Sequence, residues 1–86
     1  MSTKKQPRRK RLHLYLLNDD AMPFEYVVNT LVTMCNHNTL QAEQCALTTH
    51  TTGQSHILSA LGLEAVLIYD VLRKQGLNVK LVDKKL

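Results

Sequence analysis

A run of three polar residues is the most distinctive chemical feature of this 86-residue sequence. Asn18, Asp19 and Asp20 place an amide and two carboxylates at the end of an apolar stretch, and large apolar residues follow shortly afterwards. Farther along, His50 can add an imidazole nitrogen. An alkylammonium group has three N–H donors, which a carboxylate, an amide oxygen and a neutral imidazole can satisfy together. We therefore interpret Asn18, Asp19 and His50 as candidate acceptors for an ammonium cation beside an apolar pocket.

The same residues also have an ordinary structural interpretation. Asn and Asp are common in turns, and the helix dipole favours acidic side chains near the start of a helix. His50, near the end of a predicted helix, can likewise be an ordinary helix-end histidine that binds no ligand. Considered alone, these residue types leave both a turn and a binding site open.

No other pattern in the sequence predicts catalysis or a bound cofactor. The chain contains no recognisable nucleophile motif, no glycine-rich phosphate loop and no pair of His or Cys residues with zinc spacing. Cys35 and Cys45 fall within apolar helical patterns, and we expect both to be small core residues. We therefore predict that the protein is not an enzyme, with no catalytic residue, no cofactor and no metal.

The positive charge of the chain is concentrated at its N-terminus. The net charge is +4, but residues 1–11 contain six basic residues and no acid, whereas residues 12–86 contain five basic and seven acidic residues. A nucleic-acid-binding domain usually spreads Lys and Arg over a folded face. We predict a flexible basic tail over residues 1–11, a single folded domain over residues 12–86, and no nucleic-acid binding by that domain.

Cysteine usage and hydropathy predict where the protein resides. Two cysteines and the absence of a secretory apolar stretch after the basic start favour a reducing, cytoplasmic environment. No apolar run approaches the roughly 20 residues that a membrane-spanning helix needs. We therefore expect a cytoplasmic protein with no membrane partner.

The apolar periodicity predicts the elements that would position the candidate site. Alternating apolar residues indicate strands, and apolar residues three and four positions apart indicate helices. The predicted elements are a strand over 12–17, a helix over 23–36 with Pro23 in its first turn, a helix capped within 36–39 and ending near 49, a short strand over 54–58, a helix capped by Ser59 and ended by Gly76, and a strand over 77–82. This β-α-α-β-α-β order is typical of a compact α+β domain.

The first half of the chain resembles the ClpS family, adaptors of ATP-dependent Clp proteases that recognise N-degrons. The resemblance covers residues 12–53, about half of the chain. Its matching segments are Leu17-Asn18-Asp19-Asp20, Pro23-Phe24-Glu25-Tyr26-Val27-Val28, Leu31, Gln41-Ala42, and Thr49-His50 followed by Gly53. The resemblance implies a small antiparallel sheet packed on three helices, a fold similar to that of the C-terminal domain of the ribosomal stalk protein.

The resemblance also implies roles for individual residues. Asn18, Asp19 and His50 match positions that hydrogen-bond the α-amino group of a client protein. A neighbouring hydrophobic pocket would hold a large apolar first residue such as Phe, Leu, Tyr or Trp. The implied pocket residues are Met22, Phe24, Val27, Ala46, Thr49 and Val79. The implied partners are these clients and the N-terminal domain of a Clp-type AAA+ chaperone.

Several residues depart from the family pattern. Met22 replaces Thr, Phe24 and Ala46 each replace Met, and Thr49 replaces Val. Phe is wider and stiffer than Met, so we expect a reshaped pocket. After Gly53 the resemblance fades, and residues 54–64 are fewer than in the family's hairpin and lack its Glu- and Lys-bearing docking stretch.

The sequence therefore favours an adaptor that binds N-terminal residues of clients and delivers those clients to a Clp chaperone-protease. Two alternatives stay open. One is a degenerate ClpS-like interaction domain that binds a chaperone or an internal motif but no free N-terminus. The other is a ribosome- or RNA-associated protein that uses the basic tail.

Overall fold

The computed structural model describes residues 10–84, and its elements follow the predicted β-α-α-β-α-β order. Most of the predicted basic tail lies outside the described residues, and its last residue, Arg11, is the first residue of a strand. The elements are β1 (Arg11–Leu17), α1 (Phe24–Cys35), α2 (Thr39–Thr52), β2 (Gln54–Leu61), α3 (Gly62–Lys74) and β3 (Val79–Val82).

The three strands form one antiparallel sheet in the order β2-β1-β3, so that β1 is the central strand. All three helices contact the sheet or one another around a shared core. Leu14 of β1, Leu31 of α1 and Leu72 of α3 are its largest fully buried side chains. The predicted α+β class, with a small antiparallel sheet packed on three helices, is confirmed.

Residue Ile57 forms a β-bulge in β2. The register pairs Leu14 with Leu58 and then pairs Tyr15 with His56, so Ile57 has no partner on β1. In a regular ladder without the bulge, Ile57 would pair with Tyr15, and His56 would pair with Leu16 and lie on the helix-facing side of the sheet. The bulge therefore places His56 on the opposite face, together with Tyr15.

Local polar residues set the ends of the first two helices. Asn36 ends α1 in the left-handed conformation, with φ 58°. Asn38 begins α2 with a reciprocal capping box, in which its side chain accepts from the Gln41 N–H and the Gln41 side chain accepts from the Asn38 N–H. The predicted helix break over residues 36–39 is confirmed. Pro23, predicted in the first turn of α1, is instead its N-cap in an extended conformation.

The boundary between β2 and α3 differs from the prediction. The predicted short strand continues to Leu61, and Ser59 pairs with His13 inside it, whereas we expected Ser59 to cap α3. Leu61 is the actual N-cap of α3 and makes no side-chain capping bond. Residues of β1 as far as Arg11 pair with β2, so the whole of β2 can form backbone hydrogen bonds with β1. This pairing outweighs the tendency of Ser59 to cap a helix.

Gly76 ends α3 as predicted, at the position after the C-cap. Its φ is +93°, its N–H donates to the Arg73 carbonyl at 3.0 Å, and the Leu77 N–H donates to the Leu72 carbonyl at 3.1 Å. These two bonds form a Schellman motif, which requires a left-handed residue at this position. A Cβ at Gly76 would lie 3.3 Å from the Met22 Cε atom, so this turn packs directly against Met22.

Gly76→Ala is expected to lower the free energy of unfolding by about 1–2 kcal/mol, because a side chain disfavours the left-handed conformation. Urea denaturation would measure the loss. Gly62→Ala is the matched control, since Gly62 has no positive φ and an added Cβ would meet only the Lys10 carbonyl at 3.8 Å. Equal stability of Gly76→Ala and the unsubstituted protein would contradict this account of the turn.

Candidate functional site

An open cavity of about 240 Å³ lies where β1 ends, α1 begins, α2 ends and the chain approaches β3. Eight of the nine residues that the sequence proposed for a binding site line this cavity. They are Asn18, Asp19, Met22, Phe24, Val27, Ala46, Thr49 and His50. The structure therefore brings side chains from three separate chain segments to one concave surface.

Two backbone hydrogen bonds hold the segments around the cavity together. The Leu17 N–H donates to the Asn78 carbonyl at 2.8 Å, and the Asn18 N–H donates to the Gly53 carbonyl at 3.1 Å. Gly53 is the left-handed C-cap of α2, and its own N–H donates to the Thr49 carbonyl at 2.8 Å. The end of α2, which carries His50, is thereby fixed beside Asn18.

Asp19 shapes the turn between β1 and α1. Its Oδ1 atom accepts a hydrogen bond from the Ala21 N–H at 3.0 Å, and its backbone carbonyl accepts one from the Met22 N–H at 3.0 Å. The carboxylate therefore uses one oxygen in an Asx-turn, as the turn interpretation of these residues anticipated. Its second oxygen accepts no hydrogen bond from residues 10–84, and a carboxylate has lone pairs for several donors.

Asn18 is oriented by its neighbour. Its Nδ2 atom donates to Asp20 Oδ1 at 3.3 Å. With the amide nitrogen held by a carboxylate, the amide oxygen of Asn18 is left as an acceptor at the cavity. The imidazole of His50 is exposed and makes no hydrogen bond within the described part of the chain. The rim thus carries a carboxylate oxygen, an amide oxygen and an imidazole with unused acceptor capacity.

The inner part of the cavity is apolar. Val27, Ala46 and Thr49 are buried, whereas Phe24, at the start of α1, is 47% exposed. The Thr49 hydroxyl donates to the Cys45 carbonyl at 2.9 Å and lies 2.9 Å from Ser55 Oγ. Because this hydroxyl is already hydrogen-bonded within the protein, it adds little unsatisfied polarity to the cavity wall.

Val79 does not line the cavity, although we expected it to contribute to the pocket. Its side chain is 7% exposed and belongs to the hydrophobic core. Leu77 and Asn78 lie at that side of the cavity instead. Sequence reasoning missed both, together with Leu16, Leu17 and Asp20. The pairing of β1 with β3 decides which residues reach this edge, and no local motif signals that register.

The two cysteines are unsuited to nucleophilic chemistry. Cys35 and Cys45 are buried and unbridged, as predicted for core residues. Burial, with a smaller contribution from Cys45 nearby, raises the pKa of the Cys35 thiol to about 11. Burial also raises the pKa of Cys45, partly opposed by its hydrogen bond with Ser55. Both thiols therefore stay protonated at neutral pH, and the thiolate is the reactive form of cysteine.

Between residues 10 and 84 no three or more His, Cys, Asp or Glu side chains are grouped so that they could hold a metal ion. In the same part of the chain, every helix is too short or too polar to cross a membrane.

Comparison with known proteins yields one family and one fold. Residues 7–70 match the sequence model of the family described as ATP-dependent Clp protease adaptor protein ClpS. A solved structure, Agrobacterium tumefaciens ClpS2 bound to L-phenylalaninamide, superposes with a TM-score of 0.74 at 22% sequence identity. The match covers 90% of this chain and 100% of the other. No curated protein sequence matches the chain.

Proposed function

Since the chain belongs to the ClpS family of ATP-dependent Clp protease adaptors, we propose that it binds the N-terminal residue of client proteins and delivers them to a Clp-type chaperone-protease. The observation that carries this proposal is a single cavity with an apolar interior and three hydrogen-bond acceptors at its rim. The structurally similar ClpS2 was solved with L-phenylalaninamide, which combines an α-amine with an aromatic side chain. That ligand has the two chemical groups that such a cavity suits.

In this proposal, the rim binds the client's α-ammonium group. Asp19 supplies the negative charge through the carboxylate oxygen that the turn leaves unused, and Asn18 and His50 supply neutral acceptors. A hydrogen bond that involves a charged group contributes about 1.5–3 kcal/mol, and a neutral one about 0.5–1.5 kcal/mol. An acetylated N-terminus has one N–H donor and no charge, so it loses most of this contribution.

The cavity interior holds the side chain of the same client residue. Val27 and Ala46 form apolar wall at the buried end, and the half-exposed ring of Phe24 offers an aromatic surface near the mouth. Burial of apolar area contributes about 25 cal/mol per Å², which favours large apolar side chains over small ones. Clients beginning with Phe, Leu, Tyr or Trp are therefore the proposed class.

Fluorescence anisotropy with short labelled peptides tests this binding. Peptides that begin with Phe, Leu, Tyr, Trp or Arg, each paired with its N-acetylated copy, would be titrated with the full chain. We expect saturable binding of the free-amine apolar peptides and loss of binding on acetylation. Absence of binding to every free-amine peptide would reject N-terminal recognition and favour a degenerate interaction domain.

His50 is expected to contribute to client binding through one acceptor nitrogen. Its imidazole is exposed at the cavity rim and makes no hydrogen bond within residues 10–84, so it is available to the client amine. His50→Ala should weaken binding about 2- to 10-fold at neutral pH, in line with the loss of one neutral hydrogen bond.

His50→Gln is the matched variant for this prediction, because glutamine keeps an acceptor oxygen. It should retain more affinity than His50→Ala in anisotropy titrations with a Phe peptide. Unchanged affinity in His50→Ala would show that His50 does not contact the client amine.

Delivery to the protease is the second step of the proposal and needs its own test. Residues 54–61 form strand β2, which runs directly into α3. This is the segment that is shorter than the family's hairpin and lacks its docking stretch. Degradation of a client with N-terminal Phe by a Clp chaperone-protease, with and without this protein, measures delivery. Client binding without faster degradation would leave recognition intact and reject delivery.

A further inference from the structure

A cluster of two histidines and a serine lies on the face of the sheet that bears Tyr15, outside the candidate binding cavity. His13 belongs to β1, and His56 and Ser59 belong to β2. His13 Nδ1 lies 3.3 Å from His56 Nε2 and 2.8 Å from Ser59 Oγ, and Ser59 Oγ lies 3.2 Å from His56 Nε2. The three atoms thus form a closed triangle with every edge between 2.8 and 3.3 Å.

The strand pairing and the bulge create this triangle. Ser59 is the direct cross-strand partner of His13, and the extra residue Ile57 brings His56 onto the same face, opposite Tyr15. Ring contacts then restrict both imidazoles. The His56 ring lies edge-on to Tyr15 at 5.2 Å and tilted against His13 at 5.5 Å, centroid to centroid. Two imidazole nitrogens are therefore held 3.3 Å apart on a paired part of the sheet.

Two edges of the triangle, at 3.2 and 3.3 Å, are close to the ligand separations of a metal coordination sphere, and the 2.8 Å edge between His13 Nδ1 and Ser59 Oγ would lengthen as a metal ion replaces that hydrogen bond. Zn²⁺ bound tetrahedrally at Zn–N distances of about 2.0–2.1 Å separates its ligand atoms by about 3.3–3.4 Å. The distance between His13 Nδ1 and His56 Nε2 is 3.3 Å. We propose that His13 Nδ1, His56 Nε2 and Ser59 Oγ form a binding site for a first-row divalent transition-metal ion such as Zn²⁺, with water in the remaining position.

The ligand set determines which metals the site accepts. Imidazole nitrogen suits Zn²⁺, Ni²⁺ and Cu²⁺, whereas Mg²⁺ prefers carboxylate, carbonyl and water oxygens. A serine hydroxyl is a weaker ligand than a third imidazole or a thiolate, so we expect weaker binding than at a four-ligand structural zinc site. Cu²⁺ binds more tightly than Zn²⁺, as the Irving–Williams order requires.

Metal binding at this site would cross-link β1 and β2 across the bulge. The two histidines are 43 residues apart in the sequence, so only the folded chain presents them together. A ligand that binds only the folded state raises thermal stability. The bound ion would therefore stabilise the strand whose end carries the candidate amine site.

Isothermal titration of the full chain with ZnCl₂ at neutral pH tests the proposal, with MgCl₂ as the metal control. We expect saturable binding of one Zn²⁺ per chain, no binding of Mg²⁺, and a rise in melting temperature of roughly 5 °C at saturating Zn²⁺. His13→Gln and His56→Gln should each weaken Zn²⁺ binding at least tenfold. His50→Gln removes an exposed histidine outside the cluster and should leave it unchanged.

A second measurement uses the unsubstituted protein, so its result does not depend on whether the variants fold. In the unsubstituted protein, NMR of the imidazole nitrogens should show Zn²⁺-dependent shifts at His13 Nδ1 and His56 Nε2 and none at His50. The proposal is overturned if Zn²⁺ does not saturate the protein in the millimolar range, or if the shifts occur at other histidines. Neither outcome depends on whether the cavity binds client N-termini.

Discussion

Replacing Asp19 with asparagine is expected to weaken binding of a peptide with a free N-terminal phenylalanine by about 10- to 100-fold. The substitution removes the negative charge that pairs with the client ammonium, and a charged hydrogen bond contributes about 1.5–3 kcal/mol. The turn itself should survive, because an asparagine side chain can accept from the Ala21 N–H as the Asp19 Oδ1 atom does. Anisotropy titrations of the two proteins would give the ratio of dissociation constants.

Two controls separate the charge of Asp19 from other effects. Asp70→Asn removes one negative charge from an exposed position on α3, so it measures the contribution of overall charge. An N-acetylated Phe peptide should bind weakly to the unsubstituted protein, and Asp19→Asn should weaken that binding little further. A loss of equal size in Asp19→Asn and Asp70→Asn would contradict a direct contact between Asp19 and the amine.

Enlarging Ala46 is expected to reduce the affinity for large first residues by about tenfold or more. Ala46 is buried at the cavity wall, so a methionine there would occupy space that the client side chain needs. Overfilling a packed site costs about 1–3 kcal/mol. Peptides that begin with Phe or Trp should lose more affinity in Ala46→Met than peptides that begin with Val, because a smaller side chain needs less of the cavity.

A second substitution tests whether the effect is steric. Phe24 also lines the cavity, and Phe24→Met would replace a wide, stiff ring with a narrower and more flexible side chain. The double variant Phe24→Met, Ala46→Met should therefore recover much of the affinity that Ala46→Met loses. Leu47→Met is the matched control, since Leu47 follows Ala46 on α2 but is 49% exposed. Equal losses in Leu47→Met and Ala46→Met would contradict the proposed pocket.

Local sequence signals predicted the turn and helix ends around the cavity. The polar run from Asn18 to Asp20, the break near Asn38 and the glycine at position 53 each determine a backbone conformation within a few residues. These signals were sufficient to place the end of β1 and both ends of α2 within about three residues. The residues at the cavity rim follow directly from those element ends, so most of them were predictable.

Features that depend on strand register were not predictable from local patterns. Ser59 has the sequence context of a helix cap, yet pairing with His13 keeps it in β2. Val79 was assigned to the pocket through the family resemblance. In the structure Val79 pairs with Leu16 and is buried in the core, and Leu77 and Asn78 reach the cavity instead. Such assignments require knowledge of which residues pair across distant parts of the chain.

The dependence on strand register also explains why the cluster of His13, His56 and Ser59 could not be inferred from the spacing of these residues in the sequence. His13 and His56 share one face of the sheet only because Ile57 is an unpaired extra residue in β2. A bulge of this kind shifts the strand pairing by one residue. Side chains on the two sides of the bulge therefore lie on the opposite face of the sheet from the one that a regular strand would give them. The sequence pattern around Ile57 contains no glycine or proline that would mark it.

An NMR titration of ¹⁵N-labelled protein with L-phenylalaninamide, and in parallel with its N-acetylated form, would show directly whether the cavity holds an N-terminal residue. We predict saturable shifts for the free amine at the backbone amides of Asn18, Asp19, Thr49 and His50, with α3 residues such as Asp70 unaffected. The acetylated compound should leave all of these signals in place. Shifts of equal size with both compounds, or shifts confined to residues outside the cavity, would contradict recognition of a client N-terminus at this site.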